Sequence, residues 1–378
     1  MINKKQQLLL DSIGKKRHLE TLKRKNRKYN PLLPKVLHKW DGDGVLFIKI
    51  PKYFNIYDMD ESYIQSIQII ETLENTATNS DIHKIILDFS MTKTLKAATM
   101  VILFATVETL ITKYQKSVKL IQKGVPNFVS KMISESGIDK LCHNQVPINC
   151  FSEHFLPIIS GTGGNYREQI VDFIMQRIYN NQMTPTLENK YSSAIQEAIL
   201  NVSAHAYTEQ EEKQWWVKCS YIRKTGQLFL VIYDRGIGIP CSYDPDEYVI
   251  DSLDFSNEDI QKLLDILKVD SDHNITIEQA KELLKNTDLN NPLSDQAIIY
   301  SSMITGITRR TGKEEQKHGQ GSKSIKELVK SNEQGILWIY SNKGLVKYGN
   351  SSSTPPTIYE LPRPIKGTLI QWNIKVTV

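Results

Sequence analysis

A chain of 378 residues with 40% apolar side chains has room for about two or three domains with real cores. Its most apolar run, Thr99 to Ile111, contains Thr99, Thr106, Glu108 and Thr109 and falls short of the ~20 apolar residues of a membrane span, which argues against an integral membrane protein. The net charge of +5 is uneven, because residues 1–30 hold ten Lys/Arg against Asp11 and Glu20, a surplus of +8 that leaves the rest at −3.

The basic character therefore belongs to an N-terminal helical arm, residues 1–34. Dense like charge repels itself unless a polyanion screens it, so residues 1–30 suit nucleic acid, anionic lipid or an acidic partner surface. Equally, Leu8, Leu9, Ile13, Leu19 and Leu22 suit an amphipathic helix docked on the body. Lys4, Lys5 and the brief Leu8-Leu9-Leu10 make too short an apolar region for a secretion signal, and a cytoplasmic protein is expected. Cys142, Cys150, Cys219 and Cys241 show no C-x-x-C spacing and read as reduced thiols. Cys142-His143 with Cys150 would be half a metal site lacking its second pair of ligands.

Pro31-Leu-Leu-Pro34 breaks any helix, which places a boundary near residue 35. Beyond it, Gly44 to Pro51 reads as a strand, Glu61 to Asn75 as a helix with Ile64, Ile67, Ile70 and Leu73 on one side, and Lys84 to Phe89 as a buried strand. A helix over Lys96 to Tyr114, a strand over Val118 to Ile121 and a helix from about Pro126 to Ser136 complete an α/β unit, residues 35–150. The order of elements around Ile86-Leu87-Asp88-Phe89-Ser90 resembles the STAS fold of anti-sigma-factor antagonists. That family carries a phosphorylated serine at the start of the following helix. Here the place reads Lys96-Ala97-Ala98-Thr99, so a phospho-switch at Ala98 is excluded and a docking or dimerisation module is expected.

Residues 151–165, with Gly161-Thr162-Gly163-Gly164, read as a flexible linker. Helices are expected over Tyr166 to Tyr179 and Leu187 to Tyr207, and a hairpin over Gln214 to Arg223 and Leu228 to Asp234 around Thr225-Gly226. From about residue 241 to 293 a polar, acidic stretch has helical spacing in Ile260, Leu263, Leu264 and Leu267, then in Ile277, Ala280, Leu283 and Leu284, and reads as a helical insert. Asp270-Ser-Asp-His-Asn274 imitates the first ligands of an EF-hand loop. Ile275 stands where that loop needs glycine and Lys281 where calcium needs a bidentate acid, so a helix N-cap before Ile277 is the better reading.

Glu197 and Asn201 lie one helical turn apart and leave the same helix face. Phosphoryl hydrolysis with magnesium needs an oxygen ligand for the metal, a task suited to Asn201, and a carboxylate that orients water, suited to Glu197. Asp234-Arg235-Gly236-Ile237-Gly238-Ile239-Pro240 then follows a strand, where an acid can accept an adenine amino group and glycines allow close backbone approach. His318-Gly319-Gln320-Gly321-Ser322-Lys323-Ser324 enters a helix, a setting for phosphate on backbone amides. Lys366-Gly367-Thr368 opens a terminal strand with a threonine able to support the base. None of these follows P-loop spacing.

In this order the four segments resemble the motifs of the GHKL ATPases, the superfamily of gyrase B, heat-shock chaperone ATPases, histidine kinases, MutL and anti-sigma-factor serine kinases. The resemblance covers residues 166–378 and implies a Bergerat-fold α/β sandwich that binds ATP and Mg2+. It assigns Glu197 as general base, Asn201 as the magnesium ligand and Asp234, Gly236 and Gly238 to adenine recognition, with Ile239 beside them in the nucleotide site. Gly319, Gln320, Gly321 and Ser322 fall at a lid hinge, Gly306-Ile307-Thr308-Arg309 at the motif preceding the lid, and Thr368 at the last box. Lys323 replaces the third small residue of the lid glycines, where it would contact phosphate or solvent. The expected activity is that of a nucleotide-gated ATPase switch controlling assembly of a protein partner, itself or a separate regulator, in a homodimer. A serine/threonine kinase acting on a STAS-like partner and a non-hydrolysing ATP-binding module are the alternatives. No histidine has the context of a histidine-kinase phosphoacceptor.

Overall fold

Short β-branched runs alternating with helices build the first half of the fold, and a larger antiparallel sheet builds the second. The computed structural model describes residues 38–40, 43–143, 155–208, 211–270, 275–286, 293–304, 320–350 and 356–376. The basic arm lies outside them.

Strand β1 (His38–Trp40) runs antiparallel to β2 (Val45–Lys49), which pairs in parallel with β4 (Lys84–Asp88), as β4 does with β6 (Ser117–Ile121). β3 (Tyr53–Phe54) and β5 (Thr94–Leu95) form a separate small ladder. The crossover helices are α1 (Glu61–Asn75), whose N-cap Asp60 accepts from the Ser62 amide, and α2 (Ala97–Thr112). α3 (Asn127–Ser136) and α4 (Ile138–Cys142) follow. These elements match the strand and helix order expected for residues 35–150, with β1 and the β3–β5 ladder added.

The second half is a five-stranded sheet in the order β10-β11-β9-β8-β7, every neighbouring pair antiparallel. Its strands are β7 (Phe155–Thr162), β8 (Gln214–Ile222), β9 (Gln227–Asp234), β10 (Ile336–Tyr348) and β11 (Thr357–Lys375). Helices α5 (Arg167–Phe173) and α6 (Pro185–Asn201) each run on into a π-helical turn, Ile174–Ile178 and Val202–Ala206. The insert is helical as expected, with α7 (Ile239–Ser242), α8 (Glu247–Asp251), α9 (Glu258–Asp270) and α10 (Ile277–Lys285). Thr276 caps α10 in a reciprocal capping box with Gln279, the N-cap reading of the calcium-like stretch. α11 (Asp295–Ser302) and α12 (Gln320–Lys330) complete the layer.

Two expectations are corrected. The linker over 151–165 is not a flexible joint in its described part, because Phe155 to Thr162 pairs with β8 as the sheet edge. Apolar Leu156, Ile158 and Ile159 are buried there, and their burial outweighs the neighbouring glycines. Nor does Lys366 open the terminal strand, which starts at Thr357 and passes through an irregular register opposite Ser341 and Asn342.

Both faces of the five-stranded sheet are buried, with side chains alternating between them at period two. Leu230 and Ile232, Trp215 and Val217, Leu337 and Ile339 belong to the large core shared with α5, α6, the insert, α11 and α12. Trp216, Tyr233 and Tyr340 turn the other way and are equally buried, because α1 and α2 cover that face. The order of layers is four-stranded sheet, α1 and α2, five-stranded sheet, outer helices. α2 is consequently apolar almost all round, buried from Ala98 to Val107 between two sheets. Residues 37–378 form one compact unit. Among the described residues no helix is long and apolar enough to cross a membrane.

Candidate functional site

The cleft lies between the five-stranded sheet and its outer helices. α6 begins where Thr184 accepts from the Leu187 amide with Pro185 at the first helical position. Its buried stripe of Tyr191, Ala194, Ile195, Ala198 and Ile199 fixes the helix on the sheet. Glu197 and Asn201, a third of a turn away, are left on the cleft wall. α12 packs beside α6, tied by a 3.3 Å ion pair between Lys190 and Glu327, and sets Gly321 and Ser322 into the cleft at its first turn. Ile232, Ile339 and Ile370 from three adjacent strands make an apolar floor. Asp234, Gly238, Ile239 and Thr368 close the far end. The cleft is open to solvent at its mouth and holds about 1100 Å³ of empty space when the solvent at its entrance is counted.

Asp234 is the most constrained polar group. It ends β9 almost fully buried, and burial pushes its carboxyl up to about 7 despite hydrogen bonds to Oδ1 from the amides of Gly236 (2.9 Å) and Thr368 (3.3 Å). Both bonds fall on one oxygen, so Oδ2 is left to accept from a ligand. Ser341 ties the surroundings together: its Oγ accepts from the Ile239 amide at 2.8 Å and lies 3.1 Å from Thr368 Oγ1 and 3.0 Å from the Gly367 carbonyl.

The two glycines of the Asp-x-Gly-x-Gly stretch have separate physical reasons. A Cβ on Gly236 would stand 1.9 Å from the Ala206 carbonyl oxygen, which also accepts from the Ile237 amide. The loop after β9 is thus seated on the π-helical turn that follows Asn201. Gly238 has φ +84, a backbone that disfavours side chains, and a Cβ there would meet Asn342 and Ser341.

Of the expected site residues, Glu197, Asn201, Asp234, Gly238, Ile239, Gly321, Ser322 and Thr368 share this cleft. Gly236 supports it from behind, Gln320 opens α12, and Lys323 lines a neighbouring groove with Lys326 and Lys330. Thr308, Arg309 and Gly319 lie outside the described residues.

Sequence reasoning missed His205 and Ser341, whereas the insert, expected to cover a ligand or meet a partner, does contribute to the lining. His205 lines the cleft eight residues after Glu197 and four after Asn201, a spacing visible in the sequence. Ser341 sits in β10, which had no assigned role. Ser242, Tyr243 and Asp244 bring the start of the insert into the cleft lining, and the buried Tyr243 hydroxyl donates to the Leu284 carbonyl and meets Ser301.

Chemically the cleft offers an apolar slot for a flat ring, one buried acceptor at its end, backbone amides at a helix start and a carboxylate-amide pair on the facing helix. Among the described residues no three His, Cys, Asp or Glu side chains cluster as a metal site. A magnesium ion carried by phosphates needs only one or two protein oxygens, and Asn201 fits that demand. No family model matches the chain, and no curated protein and no solved structure matches it.

Proposed function

We propose that the protein binds Mg-ATP in this cleft and hydrolyses it as a nucleotide-gated switch of the GHKL type. The observation that carries this reading is the convergence of four separated segments, Glu197/Asn201, Asp234/Gly238, Gly321/Ser322 and Thr368, on one apolar-floored cleft. These segments lie up to about 170 positions apart in the chain, and only the fold brings their complementary chemistry together. An antiparallel sheet with α6 and α12 over one face is also what a Bergerat fold requires, and the β/α order of residues 38–143 supports a STAS-like docking module.

Each residue then has a task. Asp234 Oδ2 accepts the exocyclic amine of adenine while Ile232, Ile339 and Ile370 hold the ring. The first-turn amides of α12 face the phosphates. Asn201 would hold Mg2+ through its side-chain oxygen, and the ion would neutralise charge on the phosphates when bound. Glu197 orients the attacking water and receives its proton.

A kinase acting within its own chain on the STAS-like module has no route there, because Ala98 lacks a hydroxyl at the phosphoacceptor position and the neighbouring Thr99 is fully buried between the layers. Transfer to a separate protein is the competing activity.

The test is phosphate release by the full chain with Mg-ATP, beside Glu197→Ala and Asn201→Ala. Glu197→Ala should keep nucleotide binding and lose about 10²-fold or more in turnover, the usual weight of a positioned base. Asn201→Ala should lose magnesium-dependent binding. If the parent neither binds nor turns over ATP, the reading fails; label transferred to an added protein would make it a kinase.

A further inference from the structure

Two acids on one face of α1 reach across the seam between the layers. Glu74 Oε1 pairs with Arg235 Nη2 at 2.8 Å, and Glu71 Oε2 pairs with Arg363 Nη1 at 2.5 Å. Arg235 also donates through Nη1 to Thr109 Oγ1 of α2 at 2.5 Å. The side chain of Arg235 is only 11% exposed and that of Glu74 21%, so this pair is shielded from solvent far more than a surface ion pair.

The chain position of the arginines gives the contacts their meaning. Arg235 directly follows Asp234, and Arg363 lies on β11, the strand that carries Thr368. These are the two strands that meet at the buried carboxylate, since the Thr368 amide donates to Asp234 Oδ1. Asp234 and Arg235 point to opposite faces of the sheet, so the residue beside the base acceptor is gripped from behind by the first layer. The Arg235 amide is fixed as well, donating to the Tyr207 hydroxyl at 2.9 Å. Two like charges three residues apart oppose α1 on its own, and engaging both arginines relieves that repulsion.

We propose that Arg235 is a positioning residue for base recognition, and that docking of the first layer through Glu71, Glu74 and Thr109 sets how well the cleft discriminates its base. This rests on the nucleotide reading above. Releasing the grip loosens the end of β9 that carries Asp234 and the loop after it, while leaving the phosphate side, built by α6 and α12, untouched. Loss of an ordered acceptor therefore costs affinity for adenine and spares a base that offers no amine there. Linkage makes the effect reciprocal: a bound adenine nucleotide tightens the docking of α1.

The experiment compares ATP with ITP, which carries a carbonyl where adenine has its amine. Both are titrated against the full chain with Mg2+ by competition with a fluorescent nucleotide. Parent, Glu74→Ala, Thr109→Val, Arg235→Ala and Arg235→Lys are compared. The parent should prefer ATP. Glu74→Ala and Arg235→Ala should lose about tenfold in ATP affinity, within the usual range of coupling between sites, with ITP affinity unchanged, and Arg235→Lys should recover part of the preference. Amide exchange in α1 should slow on adding ATP to the parent and not to Glu74→Ala. Arg235→Ala is the variant most prone to unfold, but Glu74→Ala and Thr109→Val alter only the first layer and keep the test intact.

If the parent binds ATP and the variants keep its preference, the positioning role is wrong and the nucleotide reading stands. Equal losses for ATP and ITP mean a purely structural contact and also overturn it. A parent that binds neither nucleotide overturns both readings.

Discussion

At the residue scale the cleft turns on one carboxylate held where carboxylates are uncomfortable. The folded chain holds the Asp234 proton up to about pH 7 because of burial, against 3.8 for the ordinary group. Between those values the unfolded chain binds fewer protons, so stability attributable to this group falls as pH rises from about 4 to about 7 and stays low above it. Asp234→Asn imitates the neutral form and should stabilise the ligand-free protein by on the order of 4 kcal/mol above pH 7, the gain vanishing near pH 4. The same change should abolish preference for ATP, because the amide presents a donor or a displaced acceptor to the adenine amine. Thermal melts across pH with parallel titrations check both halves. An amine donates best to the ionised acid, so ATP affinity of the parent should weaken from about pH 8 to about pH 6. Asp234, Glu197 and Asn201 were legible in the sequence because each belongs to a short local spacing. Ser341 and Arg235 were not, because what makes them matter is a partner more than 100 positions away, Ile239 for one and Glu74 and Thr109 for the other.

Among the elements, the helices and the β8–β9 hairpin follow their periodicity closely. α1 begins and ends where its apolar spacing and cap say it should, and the hairpin turns at Gly226. Three features escaped pattern reading. β7 hid behind a glycine-rich label, β10 had no motif to draw attention, and the π-helical turn at Val202–Ala206 continued a helical pattern too smoothly to be noticed. That turn is where α6 meets the loop after β9, through the Ala206 carbonyl and Gly236. Gly236→Ala should force the two apart, costing about 2–3 kcal/mol as overpacking does, and should remove nucleotide binding even at temperatures where the chain stays folded. Calorimetry and titration on one preparation separate these effects. Across the seam, Glu108 of α2 accepts from Trp216 Nε1 (2.7 Å), Ser160 Oγ (2.9 Å) and Gln214 Nε2 (3.2 Å). Glu108→Ala strands these donors in a buried place and should cost about 3 kcal/mol by denaturant melt, more than removal of a solvated acid would.

For the whole molecule, the layer order means that neither half offers a complete exterior. Removing everything before Phe155 would bare Trp216, Tyr233 and Tyr340 on the back of the five-stranded sheet, so such a fragment should sediment with the insoluble fraction while the full chain stays in the supernatant. Ligand should stabilise both halves together: ATP at about a hundred times its dissociation constant should add about 2.7 kcal/mol to unfolding, and the melt should remain a single transition. The position of α2 between two sheets also has a consequence for how the chain is made. Translation delivers α2 before the strands that cover it: the face bearing Glu108 and Thr109 acquires its cover only when β8 and β9 have left the ribosome, and α1 meets β11 only once Thr357–Lys375 has emerged. Nascent chains thus carry an apolar helix with one bare side until those strands arrive, and polypeptides halted before Thr357 should be captured by chaperones or proteases that chains extending past Lys375 escape.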